Sequence, residues 1–364
     1  MATANIDKET IDKIRKMGLK VIDEIEKRKN PNIEIPIRAL SNIIYDKKTG
    51  QLMLGDKTAK RWFFNVAHSR KFMQTLMVMS FTKQLIDEKI HTSIRDMYYN
   101  LKHTLPDTNE NTFEEQNESD PIIVDIEVAL DILREQMHLT TDRKGIVAGN
   151  VVIRDRGDSI DWSRLGSGGW SIPSTVDEID FKSVDADFVL VVEKNAGFER
   201  LHEDKFWQKQ KCILIGTGGQ PSRGTRLLIQ RLNQEHKLPV YVMTDCDSYG
   251  LYIYSVIKSG SMSLAHISER IATPSAKFLG LMMTDIYDYD LKKCTIKAKE
   301  VDIKRAKELL KYEWFNKNPK WVRQINLMIE KGVKAEIEAL SHRGLKFMSE
   351  EYLPDKLKKK DFID

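Results

Sequence analysis

Three apolar runs constrain this chain more than any other feature. DFVLVVE (187–193), KCILIGT (211–217) and LPVYVMTD (238–245) are continuous or nearly continuous apolar stretches, and each leads into sequence of helical character. Strand and helix in alternation point to a parallel α/β sheet. In such a sheet ligands gather at the carboxyl ends of the strands, so the acids that close these runs matter more than any others.

Three acids qualify: Glu193 after the first run, and Asp245 and Asp247 after the third. On an extended backbone, residues two apart face the same side, so both aspartates can aim at one cation. Carboxylates without a neighbouring histidine suit a hard, oxygen-loving ion, Mg2+ or Mn2+, that keeps several waters and accepts phosphate oxygens. Asp245 and Asp247 also fit the role of caps for a helix beginning near Ser248. Capping accounts for two of the acids, whereas a metal pocket accounts for all three. Between the runs, Gly216, Gly218 and Gly219 beside Pro221 form a turn that either approaches a phosphate, with Arg223 and Arg226 as DNA contacts, or serves only as a turn. The Gly- and Ser-rich stretch 165–179 lacks the order of a nucleotide-binding loop, and no other segment supplies one. Any ATP dependence must come from a partner.

The preceding part of the chain reads differently. Residues 66–88 predict a long, mostly buried helix, followed by a tight break and a second, short helix over 91–103. This is the helix-turn-helix layout, whose second helix enters a DNA groove in known binders; a plain helical bundle fits the same pattern. In the second helix Ile94, Met97, Tyr98 and Leu101 recur at core spacing, while Arg95, Tyr99 and Lys102 share a neighbouring face. Consecutive residues on a helix diverge by about 100°, so Tyr98 is expected buried and Tyr99 presented. A phenol between Arg95 and Lys102 lies in a positive field that suits a phosphodiester and a tyrosine nucleophile. It equally describes a surface tyrosine beside two solvated cations.

Around this pair lie an amphipathic helix over 6–28 and short antiparallel strands over 31–64. A polar loop follows at 107–120, with a short helix capped in the T-x-x-E order by Thr112 and Glu115, and then a helix after Pro121. Two strands around Gly157-Asp158 suggest a wing. The expected domains are 1–65 (helix and small strand region), 66–165 (winged helix) and 180–364 (metal-binding α/β). At 364 residues, two domains are the default expectation. The formal net charge of +4 is too mild to prove nucleic-acid binding. Cys212, Cys246 and Cys294 form no metal or disulfide pattern, and no run is long enough to span a membrane, which fits a reducing cytoplasm. The terminal KLKKK (356–360) reads as a solvated tail.

Taken together, RDMYY (95–99), VVEKNAGFERL (191–201), GTGGQPSRGTR (216–226), TDCDSYG (244–250) and KAEIEALSHRGLKFMSEEYLPDKL (334–357) resemble the A subunit of topoisomerase VI, kin of the meiotic double-strand-break transesterase. The resemblance spans nearly the whole chain. It implies a winged-helix (CAP-like) cleavage domain followed by a Toprim α/β domain with a parallel sheet. It further implies Tyr99 as nucleophile, Arg95 as an essential arginine, and Glu193, Asp245 and Asp247 as Mg2+ ligands; Lys102 is a generic DNA phosphate contact, and Asp96 receives no role. A homodimer on double-stranded DNA, each site built from two protomers, would join an ATP-hydrolysing B subunit in an A2B2 heterotetramer of the nucleoid, with helix 6–28 as a candidate contact. The implied activity is a transient double-strand break through a 5′-phosphotyrosyl link, relaxing supercoils and decatenating DNA. Alternatives are a break-forming transesterase without resealing or an ATPase partner, a Toprim metal-dependent nuclease, and a non-enzymatic DNA-binding protein.

Overall fold

The computed structural model describes residues 2–363. The chain divides into two compact units, Met1–Ile43 with Leu54–Asp142, and Ile44–Met53 with Arg143–Asp364.

In the first unit, α1 (Ala2–Glu26) buries Ile14 and Val21 and leaves Leu19, Ile22 and Ile25 exposed. Strand β1 (Asn32–Pro36) precedes β2 (Ile43–Asp46), β3 (Gln51–Leu54) and β4 (Thr58–Trp62); β1 pairs antiparallel with β4, while β2 pairs with β3 and this pair falls almost wholly in the second unit. Helix α2 (Val66–Glu88) starts under the Asn65 cap, whose side chain accepts from the Ala67 N–H, and stops where Lys89 turns left-handed. After the break, β5 (Thr92–Ser93) leads straight into α3 (Ile94–Leu101). Helix α4 (Gln116–Leu130) completes the layer, and Val78 and Met79 of α2, Met97 and Tyr98 of α3, and Ile122, Ile123 and Ile126 of α4 form one core. Strand β6 (Leu139–Thr140) then pairs in parallel with β5, tying down the entry to α3.

Two local expectations change here. Thr112 caps no helix: it is fully buried, its hydroxyl donating to the Leu101 carbonyl (2.6 Å) and accepting from the His103 N–H (3.1 Å), so it staples the loop to the end of α3. Helix α4 begins five residues before Pro121 and ends at Leu130, where Asp131 adopts φ 48°.

The second unit opens with β7 (Ile146–Ala148), the hairpin β8 (Val151–Asp155) and β9 (Asp158–Asp161), then β10 (Trp170–Ser171) and β11 (Asp180–Val184). The hairpin turns at Gly157, as its sequence indicated, but it joins β11 in a three-stranded sheet within this unit rather than packing in the unit of the tyrosine helix. There follow β12 (Phe188–Val192), α5 (Asn195–Glu203), α6 (Phe206–Lys209), β13 (Cys212–Gly216), α7 (Arg223–His236), β14 (Val240–Met243), α8 (Ser248–Ser259) and β15 (Lys277–Gly280).

The main sheet has the order β10-β7-β13-β12-β14-β15. The runs β13, β12, β14 and β15 are mutually parallel, and β7 and β10 add an antiparallel edge. The chain leaves β12 for β13 on one side and returns past it to β14 on the other, so the strand order reverses at β12, the switch point where such sheets bind ligands.

Lys356 is no part of a solvated tail. It is fully buried, with its ammonium 3.0 Å from Asp285 and 2.8 Å from Asp361, and the Tyr352 hydroxyl donates to the same Asp285 carboxylate at 2.7 Å. A charge run at the end of a sequence fails as a guide when one member has a buried counter-ion waiting. Among the described residues no helix is long and apolar enough to cross a membrane.

Candidate active site

On α3 the two tyrosines part as helix geometry requires: Tyr98 is 6% exposed and Tyr99 59%. The Tyr98 hydroxyl donates to the Glu114 carbonyl at 2.9 Å and anchors the ring. The Arg95 guanidinium carbon stands 6.0 Å from the centre of the Tyr99 ring, so cation and phenol share the exposed face. Lys102 does not complete that face. Its ammonium turns to the Tyr98 hydroxyl (3.0 Å) and the Glu114 carbonyl (2.8 Å), because a long side chain at a helix end reaches nearby acceptors in preference to water alone. Asp96 acquires a role: the Ser93 hydroxyl accepts from the Asp96 N–H and donates to the Asp96 carboxylate (2.9 Å), closing the first turn of α3. The spacing Ser93-x-x-Asp96 was a readable capping signal.

In the second unit, Glu193 follows β12 directly and Asp245 and Asp247 follow β14. The Glu193 carboxylate accepts from the Asp245 N–H at 3.0 Å, which bridges the two strand ends. Burial pushes the Glu193 carboxyl up to about 7, with the charges of Asp245 and Asp247 adding to the effect. Burial also raises Asp245, against the Ile337 N–H and Lys194, which favour its charged form. Asp247 does cap α8, one oxygen accepting from the Tyr249 and Gly250 N–H groups (3.0 and 2.7 Å). Its other oxygen faces the Lys334 ammonium at 3.9 Å. Capping thus engages one oxygen of this carboxylate and leaves the other facing Lys334.

Among the described residues no group of three or more His, Cys, Asp or Glu side chains is already arranged to hold a metal. The donor set nevertheless fits a hard divalent ion. Three carboxylates repel one another at a sheet's switch point, and ammonium groups lie against two of them: Lys194 is 3.1 Å from Asp245, besides Lys334 near Asp247. Lys194, with Glu336 and Glu338 around it, was missed by sequence reasoning, although its place directly after Glu193 and the K-x-E-x-E alternation over 334–338 were visible signals.

The glycine turn is tied to the same place. Gly218 and Gly219 have φ of 62° and 86°, and the Gly219 N–H donates to the Glu193 carbonyl at 2.8 Å, so the turn braces the residue that carries the carboxylate. Arg223 lies half-buried at the first turn of α7, but Arg226 is 2% exposed, and its Nε and one terminal nitrogen have no hydrogen-bond partner. Burial, and then the charge of Arg223, disfavour its charged form. In this conformation Arg226 is withdrawn from any DNA phosphate.

Three family models match in succession: that of the type IIB DNA topoisomerase over residues 70–139, that of the all-beta domain in the DNA topoisomerase VI alpha subunit over 144–185, and that of the Toprim domain of the topoisomerase 6 A subunit and Spo11 over 188–357. The A subunit of type 2 DNA topoisomerase 6 from Pyrococcus abyssi is 47% identical over 358 residues, covering 96% of this chain and 94% of that protein. The chain belongs to the topoisomerase VI A-subunit family. The corresponding A subunit from Aeropyrum pernix is 48% identical, covering 95% and 93% of the two chains. The A subunit of DNA topoisomerase 6 from Arabidopsis thaliana is 36% identical, covering 91% and 76%. Membership makes the chain an enzyme subunit of the type IIB class, the catalytic one that cleaves DNA, with a winged-helix part followed by a Toprim α/β part. The all-β match spans β7 to β11, the strands that the structure joins to the Toprim unit.

Proposed function

We propose that Tyr99 is the nucleophile of this topoisomerase chain. Its phenolic oxygen attacks a DNA phosphorus in line, the bond to the 3′-oxygen breaks, and a 5′-phosphotyrosyl link and a free 3′-hydroxyl result. The carrying observation is that Tyr99 is open while Tyr98, on the same turn, is buried and hydrogen-bonded. Arg95, beside the phenol, offsets the negative charge that builds on the phosphate oxygens. The exposed phenol gives up its proton to solvent.

Glu193, Asp245 and Asp247 are the proposed ligands of Mg2+, with Mn2+ as a substitute, which when bound supplies positive charge against the phosphate at the reacting centre. Arg223 follows the backbone from the first turn of α7, and Lys102 fixes the base of the tyrosine helix. In this reading residues 66–142, rather than 66–165, serve cleavage, since β7 to β11 belong to the second unit; 180–364 serve metal binding, and 1–65 support the assembly.

Cutting both strands needs two tyrosines, hence a homodimer across double-stranded DNA. An ATP-hydrolysing B subunit, in an A2B2 assembly acting on cytoplasmic, nucleoid DNA, supplies the energy of strand passage. The exposed Leu19, Ile22 and Ile25 of α1 suit such a partner.

The test mixes the protein with supercoiled plasmid and Mg2+, with and without the ATPase partner, and quenches with detergent. Covalent adduct in wild type and Tyr98→Phe but not in Tyr99→Phe is the expected result. Adduct that survives Tyr99→Phe overturns the assignment. Cut ends without attached protein point to a metal-dependent nuclease, and adduct that forms but never reseals with the ATPase partner present points to a break-forming transesterase.

A further inference from the structure

We propose that Lys194 is a resident cation of the carboxylate site, holding Asp245 until a divalent ion displaces it, and that Glu336 and Glu338 receive its ammonium. The inference rests on the metal reading of Glu193, Asp245 and Asp247.

Both oxygens of Asp245 are engaged. Oδ1 accepts from the Ile337 N–H at 2.8 Å, and Oδ2 lies 3.1 Å from the Lys194 ammonium. A cation that approaches Oδ2 meets the charge of that lysine a few ångströms away. The same ammonium is 3.0 Å from Glu336 and 2.9 Å from Glu338, so it sits among three carboxylates at nearly equal distance. When it leaves Asp245 it keeps two strong partners, and the exchange therefore costs little desolvation.

The segment that carries those partners is built to stay in place. The Cys246 N–H donates to the Ala335 carbonyl (2.8 Å) and the Ala335 N–H to the Cys246 carbonyl (3.2 Å), an antiparallel bridge between the two metal aspartates and the segment that covers them. Glu336 precedes a short 3-10 helix (Ile337–Arg343) and Glu338 lies in its first turn, and both carboxylates reach the Lys194 ammonium. Lys334, on the same stretch, stands 3.2 Å from Asp302 and 3.9 Å from Asp247, a looser engagement that leaves Asp247 accessible. Lys194 is thus a positioning residue: it neutralises Asp245, keeps its carboxylate oriented, and sets the concentration of metal at which the site fills.

The test measures Mn2+ binding to the full chain without DNA, by loss of the free-ion EPR signal, with thermal melts as the check on folding. Lys194→Met is expected to bind Mn2+ about tenfold tighter or more, because a competing unit charge a few ångströms away is gone. Lys194→Arg keeps the charge and stays near wild type. The double variant Glu336→Gln with Glu338→Gln binds more weakly, since the ammonium then has only Asp245; its exposed sites keep the fold safe if Lys194→Met does not fold.

Unchanged or weaker binding in Lys194→Met overturns the inference, as does an equal gain in Lys334→Met, which would show bulk charge alone at work. Asp245→Asn separates the two readings. If it abolishes binding while Lys194→Met changes nothing, the lysine inference fails and the metal reading stands. If Asp245→Asn has no effect, or wild type binds no Mn2+, the metal reading fails and takes the inference with it.

Discussion

Tyr98 and Tyr99 are neighbours on α3 with ring centroids 5.0 Å apart, yet the Tyr98 hydroxyl is tied to the Glu114 carbonyl and the Tyr99 ring faces water. The two should therefore separate stability from chemistry. Tyr98→Phe keeps the ring but leaves the Glu114 carbonyl and the Lys102 ammonium short of a partner, and is expected to cost about 1 kcal/mol. Tyr99→Phe should be neutral within about 0.5 kcal/mol. Urea unfolding followed by circular dichroism measures both; a larger loss in Tyr99→Phe than in Tyr98→Phe contradicts the assigned burial.

Glu193 predicts a pH dependence with a definite sign. Burial, helped by Asp245 and Asp247, raises its carboxyl to about 7 in the folded protein, above the ordinary glutamate value. The folded state then holds the proton more tightly than the unfolded one. This contribution to stability is fully present below the unfolded value, near pH 4, and is lost as pH rises through about 7. In EDTA, wild type should lose stability relative to Glu193→Gln between about pH 5 and 8. A constant difference across that range rules the shift out. Mn2+ affinity should move the other way, falling below about pH 7 as the proton competes for the carboxylate.

The buried Lys356–Asp285 pair gives a third prediction. Both side chains are essentially inaccessible, and Asp285 also receives the Met282 N–H (2.8 Å) and the Tyr352 hydroxyl. Lys356→Met strands a buried carboxylate and should destabilise the protein by about 3–5 kcal/mol, whereas the exposed Lys358→Met should be neutral. Chemical denaturation of the two variants decides, with equal midpoints counting against a structural role for Lys356.

Arg223 and Arg226 should differ in DNA binding. Arg223→Ala is expected to weaken duplex binding and to reduce the salt slope by about 1, as the loss of one phosphate contact does. Arg226→Met should leave the salt slope unchanged and cost little stability, since two of the arginine's nitrogens are buried without partners. Fluorescence anisotropy over a salt series measures both. A slope reduced in Arg226→Met would mean that the residue emerges when DNA binds.

Much of this molecule was legible in its sequence because the relevant physics is local. Helical spacing separated Tyr98 from Tyr99, and the apolar runs marked β12, β13 and β14 with their acids at the strand ends. Placing the hairpin β8–β9 was not a local question: two strands around Gly157 were readable, but β11, the partner of β8, comes only after β10 and several short helical turns. Lys356 looked like one lysine in a run until Asp285, 71 residues away, was brought to it. Arg226 looked like a phosphate contact beside Arg223 until α7 turned it inward. The sequence by itself determined the elements, the exposed phenol and the strand-end acids, through periodicity and spacing. Only the tertiary structure decided which charges meet, because the partner that orients Asp245 is Lys194, and the partners that hold Lys194 are carried by residues some 144 positions further along the chain.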